Sequence, residues 1–165
     1  MLVPRSVFLV AGVGTAREKL VSFEEALRQA GIEAYNLVCV SSILPPRCEI
    51  VPPAEGVTSL EPGGIVHCVL ARLETDEEGR QIAVAIGMAR PKDRSSHGYV
   101  AEVDEHDLDG ELAAAKAVDL ATTMLDTTLR GRRPAGPFVT RSVSSSAVGR
   151  AGLWTTAVAA AVFVV

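Results

Sequence analysis

The stretch Asn36-Leu37-Val38-Cys39-Val40-Ser41-Ser42-Ile43-Leu44-Pro45-Pro46 decides how the rest of the chain is read. An alternating apolar run ends in two serines and is stopped by two prolines, which lack the N–H that a central strand must donate. By residue type alone this is the end of a strand followed by a turn, because serine and proline favour turns. The same arrangement permits another chemistry. A serine hydroxyl held against the carbonyl of the preceding residue can attack it and convert the amide to an ester. β-Elimination then breaks the chain and leaves dehydroalanine, which hydrolyses to a pyruvoyl group. Serine pairs also occur at Ser95-Ser96 and within Ser144-Ser145-Ser146, so the dipeptide by itself does not choose between the two.

At 165 residues, 48% hydrophobic and 22% charged, the chain reads as one globular domain spanning 1–165. The net charge of −4 argues against nucleic acid or an anionic membrane surface as a partner and is compatible with a cationic substrate. Cys39, Cys48 and Cys68 are odd in number and form no Cys-x-x-Cys pair. That disfavours a disulfide framework or a zinc site and fits a reducing cytoplasm. His67, His97 and His106 lack metal-ligand spacing, so no metal is expected. The apolar run Val7 to Val13 is too short for a cleavable signal. Ala151 to Val165 is apolar throughout, yet falls short of the ~20 residues a membrane-spanning helix needs. Its β-branched and aromatic end, Val162-Phe163-Val164-Val165, suits a buried strand in the core or at a subunit interface.

Working outward, Ser6 to Val13 reads as a buried strand, and Gly12-Val13-Gly14 as a turn rather than a nucleotide loop, because Arg17 replaces the third glycine. Ser22-Phe23-Glu24-Glu25 has the form of a capping box opening a helix that ends near Gly31. Ala34 to Val40 is the strand that delivers the serine pair, and the proline- and glycine-rich segment after it is an irregular loop. Ile65 to Leu73 and Gln81 to Ala89 read as a strand pair joined by an acidic turn, and Gly98 to Val103 as a shorter strand. Asp109 can cap a helix with the stripe Ala117, Leu120, Ala121, Met124, Leu125 and Thr128, closed by Arg130 and Gly131 before Pro134. Phe138 to Ser144 and Leu153 to Val164 supply the last strands. The pattern is α+β: a largely antiparallel sheet system with helices packed outside.

Phe23-Glu24-Glu25-Ala26-Leu27 with Ala30-Gly31-Ile32, then Asn36-Leu37, Ser41-Ser42-Ile43-Leu44-Pro45-Pro46 and Glu49-Ile50-Val51-Pro52, closely resembles the archaeal-type pyruvoyl-dependent arginine decarboxylases. The likeness continues through Ile82-Ala83-Val84-Ala85-Ile86, Pro91-Lys92-Asp93-Arg94-Ser95 and Gly98-Tyr99-Val100-Ala101-Glu102. The Asn-x4-Ser-Ser-Ile-Leu-Pro-Pro cluster is its specific part. The resemblance implies a layered α/β/β/α sandwich assembled as a homotrimer, with active sites at subunit boundaries. It further implies self-cleavage between Ser41 and Ser42 into a small chain, 1–41, and a large chain, 42–165, that begins with the pyruvoyl group.

The chemistry implied is decarboxylation of L-arginine to agmatine, a polyamine precursor, through a Schiff base on the pyruvoyl ketone derived from Ser42. That ketone takes the electron-sink part pyridoxal phosphate plays elsewhere, so neither pyridoxal phosphate nor a metal is required. Strain at Ser42 would assist the cut, as strained backbone at functional sites stores ~1–3 kcal/mol per residue. Asn36, polar in an apolar strand, can donate to the oxyanion, the part its counterpart plays in the family. Glu102 corresponds to the family's proton donor, and its apolar surroundings would keep it protonated. Glu24 stands where the family carries the aspartate that receives the guanidinium. The extra methylene leaves a different amino-acid substrate as the alternative reading, beside a non-catalytic relative that keeps only the fold. A serine hydrolase is disfavoured, since no Gly-x-Ser-x-Gly elbow or evident histidine partner is present.

Overall fold

The apolar C-terminal run forms the spine of the molecule. Trp154–Val164 is a strand, β9, hydrogen-bonded along its whole length to the antiparallel first strand β1, Ser6–Ala16, and on its other edge to β5, Ile65–Thr75. Ala157 to Val162 are wholly buried, alternating between the core between the sheets and the core beneath α1. The structure is a computed structural model that describes residues 1–94, 96–129 and 137–165.

Between these strands come α1 (Lys19–Ala30), β2 (Asn36–Cys39), β3 (Ile43–Leu44), β4 (Glu49–Ile50) and the short helix α2 (Pro53–Gly56). After β5 follow β6 (Gln81–Pro91), β7 (Gly98–His106), α3 (Gly110–Leu129) and β8 (Phe138–Val148). The first sheet has the order β2-β5-β9-β1-β4, antiparallel except for the outer pairs β2/β5 and β1/β4. The second, β3-β7-β6-β8, is antiparallel throughout. Val69, Ile82, Ile86, Met88, Val100 and Phe163 pack between the sheets. Phe8, Ala26 and Ile32 bury α1 on the outer face of the first sheet, and Ala85, Ala113 and Ala117 bury α3 on the outer face of the second. Helix, sheet, sheet and helix therefore follow one another as layers. Each fully buried Val or Ile between them contributes about 1.5–3 kcal/mol.

Several expectations are corrected. β1 does not turn at Gly12 and Gly14 but runs through them, because their missing side chains admit α1. A Cβ on Gly12 would lie 2.2 Å from the carbonyl oxygen of Ala26, and one on Gly14 2.1 Å from that of Ser22. Helix α1 begins at Lys19, a turn earlier than the capping box implies. Ser22 is wholly buried inside it, its hydroxyl bonded to the Lys19 carbonyl and to Thr156 Oγ1 at 2.7 Å. Glu25, instead of reaching back to Ser22, accepts the Thr15 N–H at 3.1 Å. A tertiary partner on β9 has outweighed the local capping pattern. The helix does end at Gly31, whose φ of 74° makes the left-handed cap.

β5 and β6 are not a hairpin. They lie in different sheets, and the acidic connector 76–80 crosses between them. β6 is paired by β7 and β8 while β9 takes the edge of β5, which residue patterns within the two strands could not reveal. Asp109 caps α3 as expected, accepting the Leu112 N–H at 2.8 Å. The buried stripe of α3 is Ala113, Ala117, Ala121 and Leu125, with Leu120 left 40% exposed. The proposed closure of this helix at Arg130, Gly131 and Pro134 lies outside the described residues, as does Ser95.

Candidate active site

β2 is a short edge strand held in parallel register by β5, and the chain leaves it at Val40, whose N–H makes a last bond to the Cys68 carbonyl at 2.9 Å. The double proline, further on, ends the next strand, β3, directly after Leu44. The chain crosses to the other sheet, where Ile43 and Leu44 pair with Tyr99 and Gly98 of β7. Ser41 and Ser42 occupy the crossing, Ser41 exposed and Ser42 half-buried.

Two backbone donors clamp the crossing. The Ile43 N–H donates to the Ser41 carbonyl oxygen at 3.0 Å, closing a three-residue turn centred on Ser42. The Val100 N–H donates to the Ser42 carbonyl at 2.8 Å, which extends the β3/β7 register by one residue. The Ser41 carbonyl, which a Ser42 hydroxyl would attack, therefore already carries a donor placed as in an oxyanion hole. Sequence reasoning offered Asn36 for such a task and could not point to the Ile43 N–H, because a backbone N–H has no residue-type signature. Positive φ among the described non-glycine residues occurs at Arg47, Arg94 and Asp107, not at Ser42. The serine pair thus carries hydrogen-bond donors and no left-handed backbone.

Glu102 is brought next to this turn. In the extended register Ser42 stands opposite Val100, and Glu102 is the next residue of β7 on the same face. Diagonal neighbours of this kind have Cα atoms about 7–8 Å apart, within reach of a glutamate side chain bearing on a small ligand. Glu102 is exposed in the single chain, because β3 ends before covering it. Partial burial, and then the Asp104 carboxylate on the same face, nonetheless raise its pKa above the ordinary carboxylate range.

Asn36 and Glu24 do not join them within one chain. Asn36 begins β2, and the extended run from there to Val40 alone covers about 13 Å. Its side-chain amide donates to the Gly63 carbonyl at 2.7 Å. Glu24 lies on α1, on the face of the first sheet turned away from the second, and pairs with Arg28 at 2.6 Å. Around Ser41 the surface is apolar: Leu2, Val3, Val40, Ile43 and Phe163 line a groove of about 420 Å3 that Ser41 also borders. Val38, Val40, Ile43 and Ile65 are all more than a third exposed along this edge.

No three His, Cys, Asp or Glu side chains among the described residues converge as a metal site, and no described helix is long and apolar enough to cross a membrane. The family model for pyruvoyl-dependent arginine decarboxylase matches residues 6–165. The chain is 46% identical to pyruvoyl-dependent arginine decarboxylase 1 of Methanosarcina mazei, over 99% of this chain and 98% of that one. It is 47% identical to pyruvoyl-dependent arginine decarboxylase 2 of Archaeoglobus fulgidus, over 99% of each. A probable pyruvoyl-dependent arginine decarboxylase of the bacterium Chlorobaculum tepidum is 41% identical over 97% of each. With a match that runs through the serine crossing, both sheets and the terminal strand, this chain belongs to the pyruvoyl-dependent arginine decarboxylase family.

Proposed function

We propose that this chain is a self-processing pyruvoyl-dependent decarboxylase that converts L-arginine to agmatine and CO2. Beyond family membership, one observation carries the reading: the carbonyls of Ser41 and Ser42 each accept a backbone donor, from Ile43 and Val100, and the β7 register brings Glu102, a carboxyl group of raised pKa, to the same face. In processing, the Ser42 hydroxyl attacks the Ser41 carbonyl, and the Ile43 N–H receives the developing oxyanion. Collapse breaks the C–N bond to an ester between chains 1–41 and 42–165. Elimination across Ser42 expels the Ser41 carboxylate, and hydrolysis releases ammonia and leaves the pyruvoyl group.

The surroundings fit such a group. The Val100 N–H, which donates to the Ser42 carbonyl, would hold the amide carbonyl of a pyruvoyl group formed from Ser42. The pyruvoyl group supplies a ketone that takes up the substrate α-amine and accepts the electrons released with CO2. Glu102 then delivers a proton to the substrate Cα, for which its raised pKa suits it.

The guanidinium of the substrate needs a planar carboxylate partner. Glu24 serves, we infer, from a neighbouring subunit, because within one chain the first sheet stands between it and the space between the sheets. We assign Asn36 likewise to a neighbouring subunit's Ser42 rather than to its own. The exposed apolar edge around Val38, Val40, Ile43 and Ile65 supports such assembly, with a cytoplasmic homotrimer as the arrangement we favour. Glu24 already engages Arg28 through one carboxylate oxygen, so the incoming guanidinium competes with it; this favours testing substrates other than arginine. Assaying CO2 release from arginine, lysine, ornithine, aspartate and histidine tests the assignment. Turnover of arginine with agmatine as product is expected; preference for another amino acid would overturn the arginine assignment and leave the pyruvoyl chemistry standing.

A further inference from the structure

The parallel register of β2 and β5 sets Cys39 directly opposite Cys68. Both side chains lie on the α1 face of the first sheet, since Leu37, two residues before Cys39, packs in the same cluster as Cys68. Adjacent strands lie about 4.8 Å apart, inside the ~4.4–6.8 Å Cα separation that a disulfide accepts. Both cysteines are free thiols in the structure, Cys39 exposed and Cys68 buried. The pair also straddles the Ser41–Ser42 bond: Cys39 lies near the end of the segment 1–41, and Cys68 lies in 42–165. β1 anchors the front of that segment through a full-length ladder with β9, whereas its rear is held by four residues of register at a sheet edge.

We propose that Cys39 and Cys68 form a reversible disulfide that, given the self-cleavage proposed above, covalently ties the small chain to the large one. The oxidant is a low-molecular-weight disulfide of the glutathione class. Cys39, being accessible, attacks it as the thiolate, forms a mixed disulfide and releases one thiol. The Cys68 thiolate then attacks the Cys39 sulfur and releases the second thiol, so two protein thiols lose two hydrogens and one oxidant disulfide is reduced to two thiols. In the dithiol state burial, and next the neighbouring Cys39, raise the pKa of the Cys68 thiol; the burial persists once Cys39 is a mixed disulfide, so this second step is the slow one and accelerates with pH. Cys48 lies in the core between the sheets and takes no part.

The purified protein is incubated with oxidised glutathione, alkylated, and compared by denaturing mass spectrometry with and without reductant. One species is expected, with the summed mass of chains 1–41 and 42–165 less two hydrogens, which reductant separates into the two. Peptide mapping should place the link at Cys39–Cys68. Cys39→Ser, a substitution at an exposed position, should abolish it, and Cys48→Ser should not. Fragments that stay separate, Cys39 found only as a glutathione adduct, or a link to Cys48 would overturn the proposal. Should the chain prove uncut, loss of two hydrogens from the intact chain and the same linked peptide would still decide the disulfide, separately from the failure of self-cleavage.

Discussion

Glu102 is the residue at which environment and chemistry meet most closely. Desolvation and then the Asp104 charge raise its pKa, so its carboxyl stays protonated to higher pH than an ordinary glutamate. As a proton donor it should therefore lose effect as pH rises through that raised value. Asp104→Asn removes the repulsion, lowers the Glu102 pKa and should move the alkaline fall of kcat to lower pH; a pH–rate profile unchanged by this substitution would detach Asp104 from the site. Glu102→Gln should leave processing intact yet cost about 10²–10⁴-fold in turnover, read as agmatine formation by cleaved enzyme. Ser42→Ala should abolish cleavage, and Asn36→Ala should slow it by about 10²–10³-fold as followed by fragment appearance over time. Ser42 and Glu102 are candidates the sequence itself offers, because a serine pair before prolines and an acid between apolar neighbours stand out by type. The Ile43 and Val100 amides are not, since their placement depends on how the crossing between sheets closes.

At the scale of elements, the glycines of β1 set the distance between α1 and the first sheet. Gly12→Ala would press a methyl group into the Ala26 carbonyl. The expected cost is about 1–3 kcal/mol, a Tm several degrees lower in a thermal melt. An unchanged Tm would mean that α1 can shift without penalty. Most strands and both long helices were readable from apolar runs, and the end of α1 from Gly31. The start of α1 was misread because Ser22 finds Thr156, which is remote in sequence. The assumed β5/β6 hairpin failed for a related reason: an acidic turn between two strands looks alike whether they pair or part into separate sheets. Local pattern supplies the elements, and β9 decides which of them are neighbours.

At the scale of the whole molecule, Glu24 and Asn36 stand away from Ser42 within one chain, and an apolar edge lies open beside Ser41. Light scattering should report an oligomer, with a trimer expected; a monodisperse monomer that decarboxylates arginine would remove the need for a shared site. Glu24→Gln should raise KM for arginine by about 10- to 100-fold, the worth of a charge-assisted hydrogen bond. Mixed oligomers of Glu24→Gln and Ser42→Ala chains should recover the low KM for arginine that Glu24→Gln chains lack, because one chain supplies the reactive end and the other the carboxylate. The proposed self-cut at the crossing underlies all of this chemistry. Its most direct test is a denaturing mass spectrum of the purified, reduced protein. Two chains are expected, 1–41 ending in Ser41 and a remainder beginning with a pyruvoyl group in place of an amino terminus at residue 42. A fully active protein found as one intact chain of 165 residues would contradict it.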